Sequence, residues 1–355
     1  MNSIWIMYMR KTISLFMLIF ALAISSFSQS NSNSEFPTGP EINEKVPDFS
    51  LPDQNGNLRS IKDLASVNGA LIIFHRSASW WGYCKKELVE FQGKISEFEE
   101  KGVQVIAISY DEVSALKKFS DNSNITYPLL ADVGSKVIKE FGILNESVNP
   151  SRSSYGIPNP GIYIIDKNLK VVNKIFEKKY SDRPSAESVL ISYLDKTPDS
   201  NFEEFSNNYL KAYIAVSDTT SYPAQMIKAV VNVSLKDGYH IYGNPIPDGY
   251  IPLSIELENN SSFKMDSVIY PSTTTIEMKS INETFHIYPE KFRILTDIRI
   301  SGRPTMGIHN LNFIIKFQAC DDSKCEIPEE FKFTFPLRIS RASKELNWKY
   351  LFLSL

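Results

Sequence analysis

Cys84 is the residue of this chain best placed to do chemistry. It stands in Leu71–Glu87, LIIFHRSASWWGYCKKE, where an apolar strand-like run ends in a short polar turn and the pair Trp80 and Trp81 leads into a helix. A cysteine in the first turn of a helix meets unpaired backbone N–H groups and the positive end of the helix dipole, which favour thiolate over thiol. Such a thiolate serves disulfide exchange or attack on a peroxide. The competing reading of Cys84 is a buried, inert side chain, because cysteine is also a small core hydrophobe. Arg76 either supplies positive charge near the thiol or is a solvated or ion-paired side chain. The other two cysteines, Cys320 and Cys325, lie close together near the carboxy terminus.

The elements that must position these residues are legible along the chain. A length of 355 residues, 43% apolar and 22% charged, has room for two domains. A net charge of −3 gives no electrostatic reason to expect nucleic acid or an anionic membrane as partner. Arg10 and Lys11 precede an apolar run, Ile13 to Ile24, that is shorter than the roughly 20 residues a membrane span needs. Small residues follow, and Ser26-Phe27-Ser28 before Gln29 reads as a cleavage site. Residues 1–28 are therefore expected to be a signal peptide directing export to the periplasm or elsewhere in the cell envelope. The alternative is an uncleaved anchor, which would then be the membrane contact. Export permits a stable disulfide. Residues 29–42, rich in Ser, Asn and Pro, read as a flexible leader.

Residues 43–196 alternate short apolar runs with amphipathic segments. Strands are expected at Leu71–Phe74, Val103–Ile108, Tyr127–Ala131, Ile162–Ile165 and Val171–Ile175, and helices at Lys85–Lys101, Val113–Phe119, Lys136–Phe141 and Ser185–Leu194. That alternation implies an α/β layered domain. Residues 197–204 read as a linker. Residues 205–340 carry strand patterns at Met226–Leu235, Ile251–Leu257, Ser267–Tyr270, Phe292–Ile300, Leu311–Phe317 and Phe331–Leu337, which predicts an all-β sandwich. The tail, 341–355, is apolar enough for a packed helix or strand and suggests no function.

The first domain resembles the alkyl hydroperoxide reductase/thiol-specific antioxidant (AhpC/TSA, redoxin) branch of the thioredoxin-like superfamily. Three stretches carry the resemblance: VPDFSLPDQNGNLRSIKDL at Val46–Leu64, IFHRSASWWGYCKKELVEF at Ile73–Phe91, and YGIPNPGIYIIDKNLKVV at Tyr155–Val172. It implies a thioredoxin-like fold, redox chemistry at Cys84 with Arg76, Trp80 and Trp81 as neighbours, and a cis proline beside the site at Pro160. The departures matter as much. Trp81 stands where the W-C-x-x-C pattern has its first cysteine, and where peroxiredoxins carry a Thr or Ser. Pro160 stands where they place an Arg.

The last third resembles the amino-terminal periplasmic domain of the thiol:disulfide interchange protein DsbD. HIYGNPIPDGYIPLSIEL at His240–Leu257 and FQACDDSKCEIPEEFKFTFPL at Phe317–Leu337 carry it. It implies an immunoglobulin-like sandwich whose pair, Cys320 and Cys325, passes electrons. The short spacing lets a loop bring the two sulfurs to bonding distance and closes a ring that constrains little chain entropy. A purely structural bridge stays open. His240 and His309 read as packing or hydrogen-bonding residues, and two cysteines without neighbouring histidines make a poor zinc site. Neither metal nor cofactor is expected.

The sequence thus predicts an α/β thioredoxin-like fold followed by an all-β immunoglobulin-like sandwich in an exported thiol–disulfide oxidoreductase or antioxidant. Its partners would be thiol or disulfide proteins, or a peroxide. The alternative is a catalytically degenerate adaptor that binds envelope proteins through the retained fold.

Overall fold

The computed structural model describes residues 36–278, 283–321 and 323–341. The expected signal peptide, most of the leader and residues 342–355 of the tail lie outside the described residues. Among the described residues, no helix is long and apolar enough to cross a membrane.

The first region opens with a hairpin, β1 (Ser50–Pro52) and β2 (Leu58–Ser60), and a short α1 (Ile61–Leu64) capped by the Ser60 hydroxyl. Then come β3 (Ala70–Phe74), α2 (Gly82–Gly93), α3 (Ile95–Glu100), β4 (Gln104–Ser109), α4 (Val113–Ser123), β5 (Leu129–Ala131), α5 (Lys136–Glu140), β6 (Gly161–Ile165) and β7 (Val171–Phe176). The sheet runs β5-β4-β3-β6-β7, with β3, β4 and β5 parallel and β6 and β7 antiparallel to their neighbours. Both faces of β3 are buried. Leu71 and Ile73 join one core with Leu88 and Phe91 of α2, while Ala70, Ile72 and Phe74 join the other with Ile138 of α5. Burial on both faces makes β3 a continuous apolar run rather than an alternating one.

The expected helix Lys85–Lys101 is two helices. Lys94, at φ −117° and ψ 10°, leaves the helical region just after Gly93, a weak helix former. The break lets Phe91 and Phe98 stack at 5.6 Å across it, and Lys94 pairs with Glu97 and Glu187 at 2.9 Å each.

Two further elements follow β7: β8 (Arg183–Pro184) and α6 (Ala186–Tyr193), which Ser185 caps through its side chain. The remainder of the described chain is strands: β9 (Phe202–Ser206), β10 (Leu210–Val216), β11 (Thr220–Ser221), β12 (Gln225–Leu235), β13 (His240–Gly243), β14 (Ser254–Leu257), β15 (Phe263–Met265), β16 (Thr274–Met278), β17 (Glu283–Ile287), β18 (Lys291–Ile300), β19 (Gly307–Phe317), β20 (Ala319–Cys320) and β21 (Glu329–Ile339). One sheet runs β15-β18-β12-β10-β9 and a second β11-β21-β19-β14. Ile227 and Ile294 from the first share a core with Leu311, Phe313 and Phe335 from the second. A third sheet, β16-β17-β13-β20, carries Cys320 at its edge. The strand expected at Ser267–Tyr270 is absent. Ile269 makes an isolated bridge to Leu295, and the regular pairing with β18 falls earlier, at Phe263–Met265.

The two regions share structure. β8 pairs in parallel with the start of β12, Arg183 opposite Gln225 and Pro184 opposite Met226, and Ile191 of α6 packs with Ala215 and Val230. Among the described residues, both regions belong to one compact unit that begins at Thr38.

Candidate functional site

α2 starts at Gly82 with Trp81 as its N-cap, so Cys84 sits in the first turn. The thiol is fully buried. Burial pushes its pKa up and Glu87 adds to the rise, while the charge of Arg183 and the backbone N–H groups of Ser77 and Arg76 pull the other way. Of the two readings of Cys84, burial accords with the second: desolvation opposes the N–H donors and the dipole that favour a thiolate at a helix start.

The residues expected beside Cys84 occupy the loop between β3 and α2 and the turn before β6. The Arg76 guanidinium lies over the Tyr180 ring at 4.3 Å and the Trp81 ring at 5.3 Å. Its pKa is lowered by burial and by Arg183, and raised by Cys84 and Tyr180, which places its charge next to the thiol. Trp81 meets Trp80 edge-on at 5.2 Å, and the exposed Trp80 donates its Nε1–H to the Tyr110 hydroxyl at 3.1 Å. Asp111 fixes the loop by accepting from the Ser77 hydroxyl and the Ala78 N–H at 2.7 Å each and from Ser109 at 2.9 Å. Pro160 is buried just before β6, but its bond to Asn159 is trans; the cis peptide among the described residues is Asn244–Pro245. Trans is the lower-energy isomer of an X–Pro bond by about 0.5–1 kcal/mol. The Asn159 N–H, bonded to the Ile143 carbonyl at 2.7 Å, holds the turn in place.

Several charged groups at the site escaped the sequence reading. Glu87, one helical turn after Cys84, is buried against Arg183, with Nε 3.2 Å from its carboxylate, and desolvation pushes its pKa up to about 7. The i, i+3 spacing from Cys84 could have flagged it. Arg183 gave no local signal. His75, at the end of β3, is fully buried with neither ring nitrogen hydrogen-bonded. Burial and, less strongly, Arg183 hold its pKa down at about 4 against the pull of Asp111. Glu90 of α2 reaches the second region. Its carboxylate accepts from the Ala186 N–H at 3.0 Å, the Tyr222 hydroxyl at 2.8 Å and Gln225 Nε2 at 2.9 Å. Burial, then Asp218, raise its pKa to about 8.

These groups predict a pH dependence of stability. Glu87 and Glu90 rise from 4.5 to about 7 and about 8 on folding, so the folded chain holds more protons and loses stability as pH rises from about 4.5 to about 8. His75 falls from 6.5 to about 4, so its burial costs stability only below about 6.5. Between pH ~6.5 and ~8 the carboxyls act alone among these three, and Tm is expected to fall. Glu90→Gln should remove up to about one proton from that slope. Thermal melts across the interval test it: a slope unchanged in the variant would contradict the assignment.

The carboxy-terminal cysteines are bonded, Cys320 to Cys325, with Cα atoms 4.0 Å apart. Cys320 is buried with Tyr242 and Phe285, whereas Cys325 is exposed. The Tyr242 hydroxyl stands 3.8 Å from the Cys325 sulfur and 3.2 Å from His240 Nε2. Asp321 shapes the loop by accepting from the Ser323 and Lys324 N–H groups at 2.7 and 2.9 Å. Cys320 packs with Tyr242 and Phe285, whereas Cys84 lies in α2 of the first region.

Residues 42–174 match the model of the AhpC/TSA family. A Mycobacterium tuberculosis protein carrying the name peroxiredoxin is 30% identical over 129 residues, 36% of this chain and 80% of the relative. The thiol-disulfide oxidoreductase ResA of Bacillus thuringiensis is 29% identical over 136 residues, 38% of this chain and 69% of the relative. The crystal structure of peroxidoxin BcpB from Mycobacterium tuberculosis is similar over 40% of this chain and 89% of its own, with a TM-score of 0.36 and 29% identity. A central strand, an aromatic-led turn and a cysteine in the first turn of the next helix fall inside the matched residues 42–174, and the chain belongs to the AhpC/TSA family.

Proposed function

We propose that this protein is an exported thiol–disulfide oxidoreductase of the redoxin family. In this reading Cys320 and Cys325 form the exchange centre and Cys84 is a slower, buried thiol. Residues 43–196 are its redoxin domain, and residues 205–340 an immunoglobulin-like domain similar to the amino-terminal domain of DsbD. Export to the periplasm or cell envelope rests on the basic-then-apolar pattern at Arg10 to Ile24.

The observation that carries the reading is the asymmetry of the disulfide: Cys325 is an exposed residue, and Cys320 is buried among aromatic rings. An incoming partner thiolate attacks the sulfur of the exposed Cys325, the S–S bond breaks, and Cys320 leaves as a thiolate that takes up a proton. A second partner thiol then attacks the mixed disulfide and releases Cys325. The balance is two electrons and two protons passed from a partner dithiol to the pair. The test is equilibration of the purified protein with a dithiol donor of known potential, read by intact mass. Reduction of Cys320–Cys325 within the donor's working range supports the reading, and a bridge that resists donors below about −300 mV marks it as structural.

Burial of Cys84 favours a second reading for the redoxin half, a docking module with little chemistry of its own. Dimedone-type trapping separates the two. Under excess peroxide we expect slow formation of a Cys84 sulfenate adduct, absent in Cys84→Ser and far below the yield of a dedicated peroxidase. No adduct at all would leave only docking for this half.

A further inference from the structure

One buried amide, that of Gln318, ties the loop that carries the disulfide to the segment that packs against it. Gln318 stands between β19 and β20, just ahead of Ala319 and Cys320, and is 9% exposed. Its Nε2 donates to the Glu326 carbonyl at 3.0 Å, and its Oε1 accepts from the Ile251 N–H at 3.1 Å. Glu326 directly follows Cys325, and its own N–H donates to the Ala319 carbonyl at 2.8 Å. Both backbone groups of Glu326 are thus held by the residues that lead into Cys320. Ile251 lies at the end of the segment after β13, whose Ile246 and Tyr250 pack against the cluster of Tyr242, Phe285 and Cys320. A single orientation of the amide satisfies both partners, because a backbone carbonyl can only accept and a backbone N–H can only donate.

We propose that Gln318 is a positioning residue for the Cys320–Cys325 pair, holding the two thiols of the reduced form within reach of each other. This rests on the reading of that pair as the exchange centre.

The argument is one of linkage between two closures of the same loop. The S–S bond joins Cys320 to Cys325, and the amide joins Gln318 to Glu326 just outside them. Each closure brings the ends of the other together and so raises the effective concentration at which the other forms. By reciprocity, the factor by which the amide favours the disulfide is the factor by which the disulfide favours the amide bond. Two glutathione thiols that reduce the pair give up two electrons and two protons: glutathione disulfide forms, the Cys320–Cys325 bond breaks, and both sulfurs end as thiols. The bonds of Glu326 to Ala319 and Gln318 then span the gap between them. The Asp321 N–H, bonded to the Lys324 carbonyl at 2.9 Å, turns the loop from inside without anchoring its ends to the strand. With Gln318 in place, Cys320 stays poised for the return attack that expels a partner from Cys325. Without it, the loop opens and the dithiol gains the freedom that the disulfide must remove.

Equilibration of the full-length protein in glutathione buffers tests this, with thiols quenched by alkylation and the peptide that spans both cysteines read by mass. Gln318→Met, similar in length but without the amide, should shift the equilibrium about tenfold toward the dithiol, ~30 mV for a two-electron couple. Gln318→Glu keeps an acceptor for the Ile251 N–H but, ionised, has no donor for the Glu326 carbonyl, and should shift the same way. Loss of a merely structural contact would lower the Tm of both redox forms alike and leave the equilibrium where it is. No shift in a folded Gln318→Met protein, or a shift toward the disulfide, would overturn the proposal. If Gln318→Met does not fold, Gln318→Glu decides alone by the same outcomes. Where glutathione leaves the wild-type pair oxidised, dithiothreitol supplies the same comparison of variant with wild type. A failure of the pair as an exchange centre is therefore separate from a failure of Gln318 as its positioning residue.

Discussion

Cys325→Ser is expected to abolish exchange with a disulfide partner, whereas in Cys320→Ser the Cys325 thiolate should attack oxidised glutathione, release one glutathione thiolate and remain as a stable mixed disulfide. The difference follows from exposure. An attacking thiolate needs an approach in line with the S–S bond, and Cys325 alone of the two residues is exposed, with Cys320 packed under Tyr242 and Phe285. With Cys320 gone, the thiol at Cys325 still joins a partner but has no neighbour to release it. Neither substitution should unfold the protein, since closing so short a loop contributes about 2 kcal/mol at most. Tyr242→Phe should keep exchange but change its rate, because the hydroxyl 3.8 Å from the Cys325 sulfur is a weak hydrogen-bond partner for it. Non-reducing mass spectrometry of each variant after incubation with oxidised glutathione is the measurement. Equal trapping at both positions would remove the directional argument, and a dominant Cys84–Cys325 bridge in the native protein would replace it with exchange between the two regions.

Trp81→Cys should give the redoxin half disulfide-reductase activity above that of wild type. Trp81 is the N-cap of α2, so the new thiol would stand at the helix start, three residues before Cys84 and less buried than it. That is the more favourable end of the pair for a low pKa, because the N-terminal N–H groups remain accessible there. The buried Cys84 then suits the second role, attack on the mixed disulfide to release the partner. Loss of the indole also frees Arg76 from one of its two stacked rings, leaving Tyr180. Insulin or small-disulfide reduction should rise at least tenfold over wild type in the Cys320→Ser/Cys325→Ser background, which removes the other pair. A folded variant with no gain would show that the loop Ser77–Trp80, tied to Asp111, holds the helix start in a geometry that cannot close the ring.

How much of this was written in the sequence can be seen residue by residue. The apolar runs that became β3, β4 and β6 carry a period set by the backbone itself, so their positions were readable to within a residue or so. The same holds for β12 and β18, whereas β19 and β21 begin four and two residues before the expected runs. The helix start at Cys84 was readable because a polar turn must separate a buried strand from the helix packed on it. The short elements were less legible. β13 and β20, which bracket the disulfide, span four and two residues, too few for a periodic pattern to emerge. The helix break at Lys94 depended on a backbone rotation that Gly93 permits but does not dictate.

The sequence by itself determined the fold of the first region, the location of its thiol and the nearness of Cys320 to Cys325, because each follows from local spacing. Only the tertiary structure decided what those sulfurs are. Burial of Cys84 against exposure of Cys325, the trans bond at Pro160, and the arrival of Arg183, Tyr222 and Gln225 at α2 all depend on contacts between residues far apart in the chain. Protonation is a sum over such contacts: desolvation, joined by Glu87, opposes both the field of a distant cation and the dipole of the helix on which the thiol stands.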